Sequence, residues 1–348
     1  MYTRKLKCFV NASNIHIGGG ATLLNDFIGA TKLFADRDFI IYVDPRFNVP
    51  KVFKDNIFIF KIHKIMRWTI THKIEKQTKE NDIVIYLTNL PPIIKHKCKT
   101  ILVQSNRLVV DGFPLSGFSI KTKIRIYLER ILFWLSNNNV DYIIVQSESM
   151  YSILKKKGID ENKIRIIAYK NKEDITKSID PKTNFIQLKN SFLYVSSDDP
   201  HKNHKKLIEA WCLLSNDSIY PKLIITININ TDLHRFVMKN VEKYKLDVEI
   251  KPRLKRREII DLYSQSPSLI YPSLLESYGL PLIEASQYGL PVLAAELDYV
   301  RDIMDPVETF DPHSAKSISR AVKRYLKISN NKTLVVTPTD FIRSVIDL

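Results

Sequence analysis

The sequence predicts an α/β protein of two Rossmann-like domains, each a parallel sheet covered by helices. Three observations predict it. The chain has 348 residues, and one hydrophobic core rarely serves more than roughly 250–300. Short apolar runs alternate with longer amphipathic stretches, as buried parallel strands and their crossover helices do. That alternation pauses in the polar, Pro181-bearing stretch Asn171–Asn190 and restarts at Phe192. The expected domains are therefore 1–175 and 190–330, with the linker in 171–190. A tail at 331–348 is expected to pack back on the first domain.

In chain order, Lys7–Asn11 (KCFVN) reads as a strand, Ile17–Gly20 as a glycine-rich turn, and Ala21–Leu33 has helical spacing. Phe39–Val43, Asp82–Leu87 and Thr100–Gln104 are apolar runs of strand length. Lys123–Ser136 is an amphipathic helix, Tyr142–Gln146 a strand, Ser149–Lys157 a helix and Ile164–Ala168 strand-like. The second series begins with strand Phe192–Ser196, helix Lys205–Leu214, strand Lys222–Ile229 and helix Asp232–Tyr244. It continues with strand Asp247–Ile250, helix Arg256–Gln265, strand Ser268–Tyr271, helix Gly279–Tyr288 and strand Pro291–Ala294.

Composition narrows the class. Hydrophobic residues make up 45% and charged residues 26%, which suits a globular chain with a full core. Lysine and arginine number 53 against 37 acids, a net charge of +16. Such an excess calls for an anionic partner: nucleic acid, an acidic membrane surface or a phosphorylated small molecule. The three cysteines, Cys8, Cys98 and Cys212, form no CxxC pair, which argues against a disulfide framework or zinc ribbon and for a reducing compartment. No apolar run reaches 18 residues, so no transmembrane helix is expected and any membrane contact is peripheral.

The stretch Tyr271–Val292, YPSLLESYGLPLIEASQYGLPV, carries the most chemistry. A strand ends at Pro272, a loop holds Glu276, Ser277, Tyr278 and Gly279, and a helix opens near Pro281, where a fixed φ suits the first turn. Amides at a helix start lack intrahelical acceptors and sit at the positive end of the helix dipole, so they suit a diphosphate. Glu276 and Glu284 flank that place, one suited to sugar hydroxyls and the other to a ribose diol. Turn glycines also mark purely structural strand–helix junctions, so these residues alone leave both readings open.

This stretch resembles the signature of retaining glycosyltransferase family 4, PS-x-x-E-S-[FY]-G-[LP]-P followed by E-A-x-x-x-G-x-P-V. Pro272, Ser273, Glu276 to Pro281, Glu284, Ala285, Gly289, Pro291 and Val292 fill every fixed position. The resemblance implies the GT-B fold, two Rossmann-like domains facing across a cleft. It implies transfer, with retention, of a sugar from a nucleotide-diphosphate sugar. It assigns Glu276 to the donor sugar, Glu284 to the ribose, and the backbone of Ser277, Tyr278, Gly279 and Leu280 to the diphosphate.

A second stretch is Phe192–Trp211, FLYVSSDDPHKNHKKLIEAW. Lys202, in the turn before a helix, is placed to offset charge on a leaving diphosphate; the bland alternative is a solvated basic turn. The family shows a K-[GN] pair before a helix reading L-I-x-A, and Lys202, Asn203, Leu207, Ile208 and Ala210 match it. The resemblance thus makes Lys202 and Glu276 the catalytic candidates and Asn203 a donor-binding one. The family's arginine falls at Ser197 here, so either Lys202 does more or a basic residue such as His201 or Arg253 replaces it. A third stretch, NASNIHIGGGAT, places Gly18, Gly19 and Gly20 after the first strand, where the family has a comparable donor-side loop. Asn106 and Arg107 end a strand on the cleft side and are the acceptor candidates. Lys121–Trp134 mixes basic and apolar residues, reading either as a core-packed helix or as one lying on an anionic membrane.

The histidines show no metal spacing, so no metal and no cofactor are expected. The expected function is a glycosyltransferase of surface polysaccharide or O-antigen assembly. Its expected partners are a nucleotide-diphosphate sugar, a lipid-linked saccharide acceptor and an anionic membrane surface, with no nucleic acid. The expected place is the cytoplasmic, inner face of the cell membrane. The alternatives are a basic nucleic-acid-binding protein, for which no finger, zipper or RNA-recognition signature appears, a GT-B-fold sugar epimerase or hydrolase, and a catalytically idle scaffold.

Overall fold

The computed structural model of the protein describes residues 5–50, 55–63, 69–168, 190–252, 254–266 and 268–328. The first series of elements is β1 (Leu6–Ala12), α1 (Gly18–Thr31), β2 (Arg37–Val43), β3 (Ile57–Lys61), α2 (Ile70–Gln77), β4 (Ile83–Tyr86), β5 (Lys99–Val103), α3 (Arg107–Val110), α4 (Ile120–Ser136), β6 (Tyr142–Val145), α5 (Glu148–Lys156) and β7 (Ile164–Ile166). The second is β8 (Ser191–Tyr194), α6 (His204–Asn216), β9 (Lys222–Thr226), α7 (Asp232–Tyr244), β10 (Val248–Lys251), α8 (Arg256–Gln265), β11 (Leu269–Tyr271), α9 (Leu280–Gln287), β12 (Val292–Ala295), α10 (Asp298–Arg301), β13 (Glu308–Phe310) and α11 (Ala315–Tyr325).

Each series closes its own parallel sheet. The strand orders are β3-β2-β1-β4-β5-β6-β7 and β10-β9-β8-β11-β12-β13. In both, the order reverses beside the first strand, between β1 and β4 and between β8 and β11. Ligands of doubly wound sheets bind beyond the carboxyl ends of the strands at such a reversal. The chain leaving β1, β8 and β11 leads directly to Gly18–Gly20, Lys202 and Glu276.

The cores follow from strand alternation. Phe9 of β1 joins Tyr42, Val84, Leu102 and Ile143 on one face of the first sheet. Its neighbours Cys8 and Val10 join Leu24, Phe39 and Ile41 on the other. In the second domain, Phe192, Trp211, Leu223, Tyr263 and Leu293 belong to a single core, and the Trp211 indole N–H donates to Pro221 O at 2.8 Å. Cys8, Cys98 and Cys212 are free and buried. Among the described residues no helix is long and apolar enough to cross a membrane.

The sequence reading and the structure differ in several places. Gly18–Gly20 form the first turn of α1 rather than a turn ahead of it. Helix α4 starts three residues before Lys123 because Ser119 caps it, accepting from Thr122 N at 3.2 Å. β3, α2, α3, α10, β13 and α11 carry no assignment in that reading. The linker, save Asn190, and the whole tail at 331–348 lie outside the described residues.

Candidate active site

The chemistry-bearing loops of the second domain are tied to one another by their own backbone. Leu274 N donates to His201 O at 2.8 Å, and Tyr299 OH donates to Ser273 O at 2.7 Å. Tyr194 OH donates to Lys202 O at 2.7 Å. This lacing brings Lys202 and Glu276 together: Lys202 Nζ lies 2.6 Å from Glu276 Oε1, and both side chains are nearly buried. Tyr271 OH donates to the same carboxylate at 2.8 Å.

The charge on Glu276 is the outcome of a contest. Burial alone would raise its pKa, but the Lys202 ammonium and the hydrogen bonds from Lys202, Ser273 and Tyr271 hold it below the ordinary carboxylate value. An ion pair supported by further hydrogen bonds is how a charge survives burial. A diphosphate arriving at Lys202 can therefore draw on a cation already desolvated and aimed.

Helix α9 supplies the second component. Its N-cap, Gly279, is left-handed at φ 64°. A Cβ there would stand 3.0 Å from Ile303 Cδ1, so both conformation and space demand glycine. Pro281 has no amide hydrogen, and Leu282 N turns back to Gly279 O at 2.9 Å. Gly279 and Leu280 amides thus remain as donors at the helix mouth. Glu284, one turn further on and buried, pairs with Arg256 at the start of α8. The Tyr263 hydroxyl's pKa is pushed up by burial and by Glu284.

Other sequence candidates are used differently from expectation. Asn203 takes the left-handed conformation that caps α6. Its side-chain N–H groups donate to Pro272 O at 3.1 Å and Pro312 O at 2.7 Å, so this amide fastens the loops rather than reaching for a donor. Asn106 Oδ1 accepts from Leu108 N at 3.1 Å and caps α3. Arg107 is also committed: Nε donates to Asp111 at 2.9 Å, both terminal nitrogens reach Asp298 at 3.1 Å, and Nη1 reaches Glu276 O at 3.4 Å. In this structure the two acceptor candidates thus serve as a helix cap and an inter-domain tie.

Ser277 also spans the domains, its Oγ donating to Ser105 O at 2.7 Å and its carbonyl accepting from Ser147 Oγ at 2.9 Å. Tyr278 is buried. Of the glycines, Gly19 comes nearest the donor loop, since a Cβ there would stand 3.1 Å from Leu280 Cδ1.

The expected replacement for the missing arginine fails at His201. Burial, with Lys202 beside it, pushes that ring down to about 4, so it is neutral near pH 7. Ser197 itself donates to Asp199 at 2.6 Å. Arg253 lies outside the described residues. Arg256, which sequence reasoning missed, is three residues along the same basic run, KPRLKRRE; that run was the signal.

With this geometry in place, the comparisons are specific. Residues 175–335 match the family model for glycosyl transferases group 1. That match covers a little under half of the chain. The chain is 28% identical over 206 residues to the O-antigen chain mannosyltransferase RfbU of Salmonella typhimurium, covering 56% of this chain and 53% of that one. It spans about half the length, or less, of the first curated relatives it matches. WaaG, a glycosyltransferase involved in lipopolysaccharide biosynthesis, superposes with a TM-score of 0.66 at 14% identity, covering 92% of this chain and 90% of that one. Anabaena Alr3699/HepE in complex with UDP and glucose superposes with a TM-score of 0.63 at 14% identity and the same coverages. The two domains together have the GT-B fold.

Proposed function

We propose that the protein is a glycosyltransferase that moves a sugar from a nucleotide-diphosphate donor to a saccharide acceptor in surface polysaccharide or O-antigen assembly. The observation that carries this is the buried Lys202–Glu276 pair, in the loops at the strand-order reversal that also lead into the α9 amides. Lys202 and the Gly279 and Leu280 amides would stabilise the departing nucleoside diphosphate, while Glu276 holds the sugar and Glu284 the ribose. Lys202 would then handle the diphosphate without a metal, with retention at the anomeric carbon. The mannosyltransferase relative and the UDP-bound neighbour support the donor class.

The test is a thermal-shift and donor-hydrolysis screen of UDP-, GDP- and dTDP-sugars, with EDTA in a parallel arm. One sugar class should stabilise the protein and turn over, and EDTA should leave turnover unchanged. A protein indifferent to all three would sink the proposal. Free sugar as the sole product with every acceptor would point to a hydrolase, and the anomeric NMR signal of the product decides retention.

The acceptor is proposed to be lipid-linked, met at the inner face of the cell membrane. Helix α4 supports this. Ile120, Ile124, Tyr127, Leu128, Ile131 and Leu135 form one stripe along it and are 53–77% exposed, while Ile126 and Phe133 are buried. Lys121, Lys123 and Arg125 are interleaved with that stripe. Apolar insertion beside cations suits an anionic bilayer surface. Flotation with phosphatidylglycerol vesicles, but not phosphatidylcholine vesicles, is expected, and its loss in Ile124→Ser/Leu128→Ser/Ile131→Ser. Equal flotation of the variant would remove α4 from the contact.

A further inference from the structure

One short run of the first domain touches the neighbours of both catalytic candidates of the second. At its start, Ser105 O accepts from Ser277 Oγ at 2.7 Å, and Arg107 grips Asp298 with two bonds of 3.1 Å while reaching Glu276 O at 3.4 Å. At its end, the Phe118 ring stacks on the His201 ring, with centroids 5.8 Å apart and planes 17° from parallel. A Cβ on Gly117 would stand 3.2 Å from Pro200 Cβ, so that chain comes close to the Lys202 turn itself.

The run is stiff on its own side. Asn89 Oδ1 accepts from Ser105 N at 2.6 Å and from Ser105 Oγ at 2.9 Å. Arg130 of α4 donates to Leu108 O at 2.9 Å and to Phe113 O at 3.0 Å. Leu115, Phe118 and Ile126 form a small core with Leu108 packed on it. A braced segment with one contact at Glu276 and another beside Lys202 can transmit a position rather than merely fill a gap.

We infer that residues 105–119 are the positioning element of the site: Arg107 sets the Glu276–Ser277 loop and Phe118 sets the Lys202 turn. The first domain thereby fixes the geometry in which the second grips a nucleoside diphosphate. This rests on the reading of Lys202 and Glu276 as the donor-handling pair. Arg107 and Phe118 are positioning residues, acting through groups they hold. The bidentate, largely buried guanidinium explains why arginine stands there, since lysine offers no fork.

The test measures UDP and GDP binding by calorimetry on the full chain. Arg107→Ala and Asp298→Ala are each expected to weaken the preferred nucleotide about tenfold, as contacting residues in one network commonly do. The double variant should be no weaker than the worse single one. Phe118→Ala should weaken binding similarly, and Phe118→Tyr, which keeps the ring, should restore it. Additive losses for Arg107 and Asp298, or wild-type binding in both single variants, would overturn the inference. Small-angle scattering of the unliganded protein gives a readout that needs no donor. Arg107→Ala should enlarge the radius of gyration, and an unchanged profile counts against the inference. If the wild type binds neither nucleotide, nor dTDP in a third titration, the proposed function fails, and scattering alone decides the tie.

Discussion

The two halves of the molecule spend their polar groups in different ways. In the second domain the loops beyond the strands bond to each other: Leu274 to His201, Asn203 to Pro272 and Pro312, and Lys202 to Glu276. In the first domain the corresponding loops are braced at Asn89, which accepts from Gln104 and Ser105, and they also turn outward. Ser105, Arg107, Ser147 and Ser149 all bond across to the other domain, and α4 leaves an apolar stripe exposed. The second half thus builds a preformed charged site, while the first places that site and presents a surface. This division fits the proposed transfer, with one small, anionic donor and one large acceptor. It also says where each kind of damage should register.

The sharpest way to break the comparison is to remove chemistry from the second half alone. Lys202→Met is expected to cut turnover by about 100- to 1,000-fold, the usual effect of losing one preorganised electrostatic stabiliser. Circular dichroism and gel filtration should remain those of the wild type. A variant keeping a tenth of wild-type turnover would mean that the diphosphate is met elsewhere, with Arg256 as the next residue to examine.

Next in size is Gly279→Ala. Alanine at φ 64° with its Cβ 3.0 Å from Ile303 Cδ1 meets both conformational strain and a clash. The expected cost is about 1–3 kcal/mol, read as a melting midpoint lower by several degrees, with weaker nucleotide binding. Gly289 is also left-handed, at φ 66°, but opens on free space. Gly289→Ala should cost less, isolating the steric part. Equal costs would show that Ile303 simply moves aside.

The acid side of the stability curve also belongs to the second half. His204 is pushed down to about 3 and His201 to about 4, in both cases first by burial and then by Lys202. Their folded values lie below that of an unfolded histidine, about 6.5. Below pH 6.5 the unfolded chain therefore binds more protons, and stability falls as pH drops from about 6.5 toward 4. The slope approaches about 1.4 kcal/mol per pH unit for each ring. Urea midpoints at pH 7, 6 and 5 measure it. His204→Gln should flatten the dependence, and an unchanged slope would assign the loss to other groups.

What the sequence made legible divides along the same line. Apart from the edge strands β3 and β13, the parallel strands of both sheets were readable because their apolar runs stand out from the amphipathic stretches between them, and the Lys202 and Glu276 candidates because they sit in motifs of fixed spacing. Helix α11 went unread although Ile318, Ala321, Val322 and Tyr325 repeat at helical spacing. Its stripe is narrow and divided by Lys316, Arg320, Lys323 and Arg324. The roles of Arg107, Asn106 and Asn203 were not legible at all. A strand-end position tells which way a residue faces, but not that Asp298, 191 residues away, will meet it. Such ties depend on how two domains pack, and no local pattern records that.

The smallest expected effect tests the seam between the halves most directly. Gly19 sits inside the first turn of α1, where alanine is favoured over glycine by roughly 0.5–1 kcal/mol through lower unfolded-state entropy. The new methyl would also press on Leu280 Cδ1 at 3.1 Å, the flexible end of a side chain that can yield at small cost. Gly19→Ala should therefore raise the melting midpoint slightly while weakening nucleotide binding about two- to threefold, a few tenths of a kcal/mol. Adding Leu280→Ala removes the crowding and should recover part of the binding. Opposite signs in the two measurements would place α1 and α9 in contact in the nucleotide-bound protein. A gain in both would mean that the glycine run serves only its own helix.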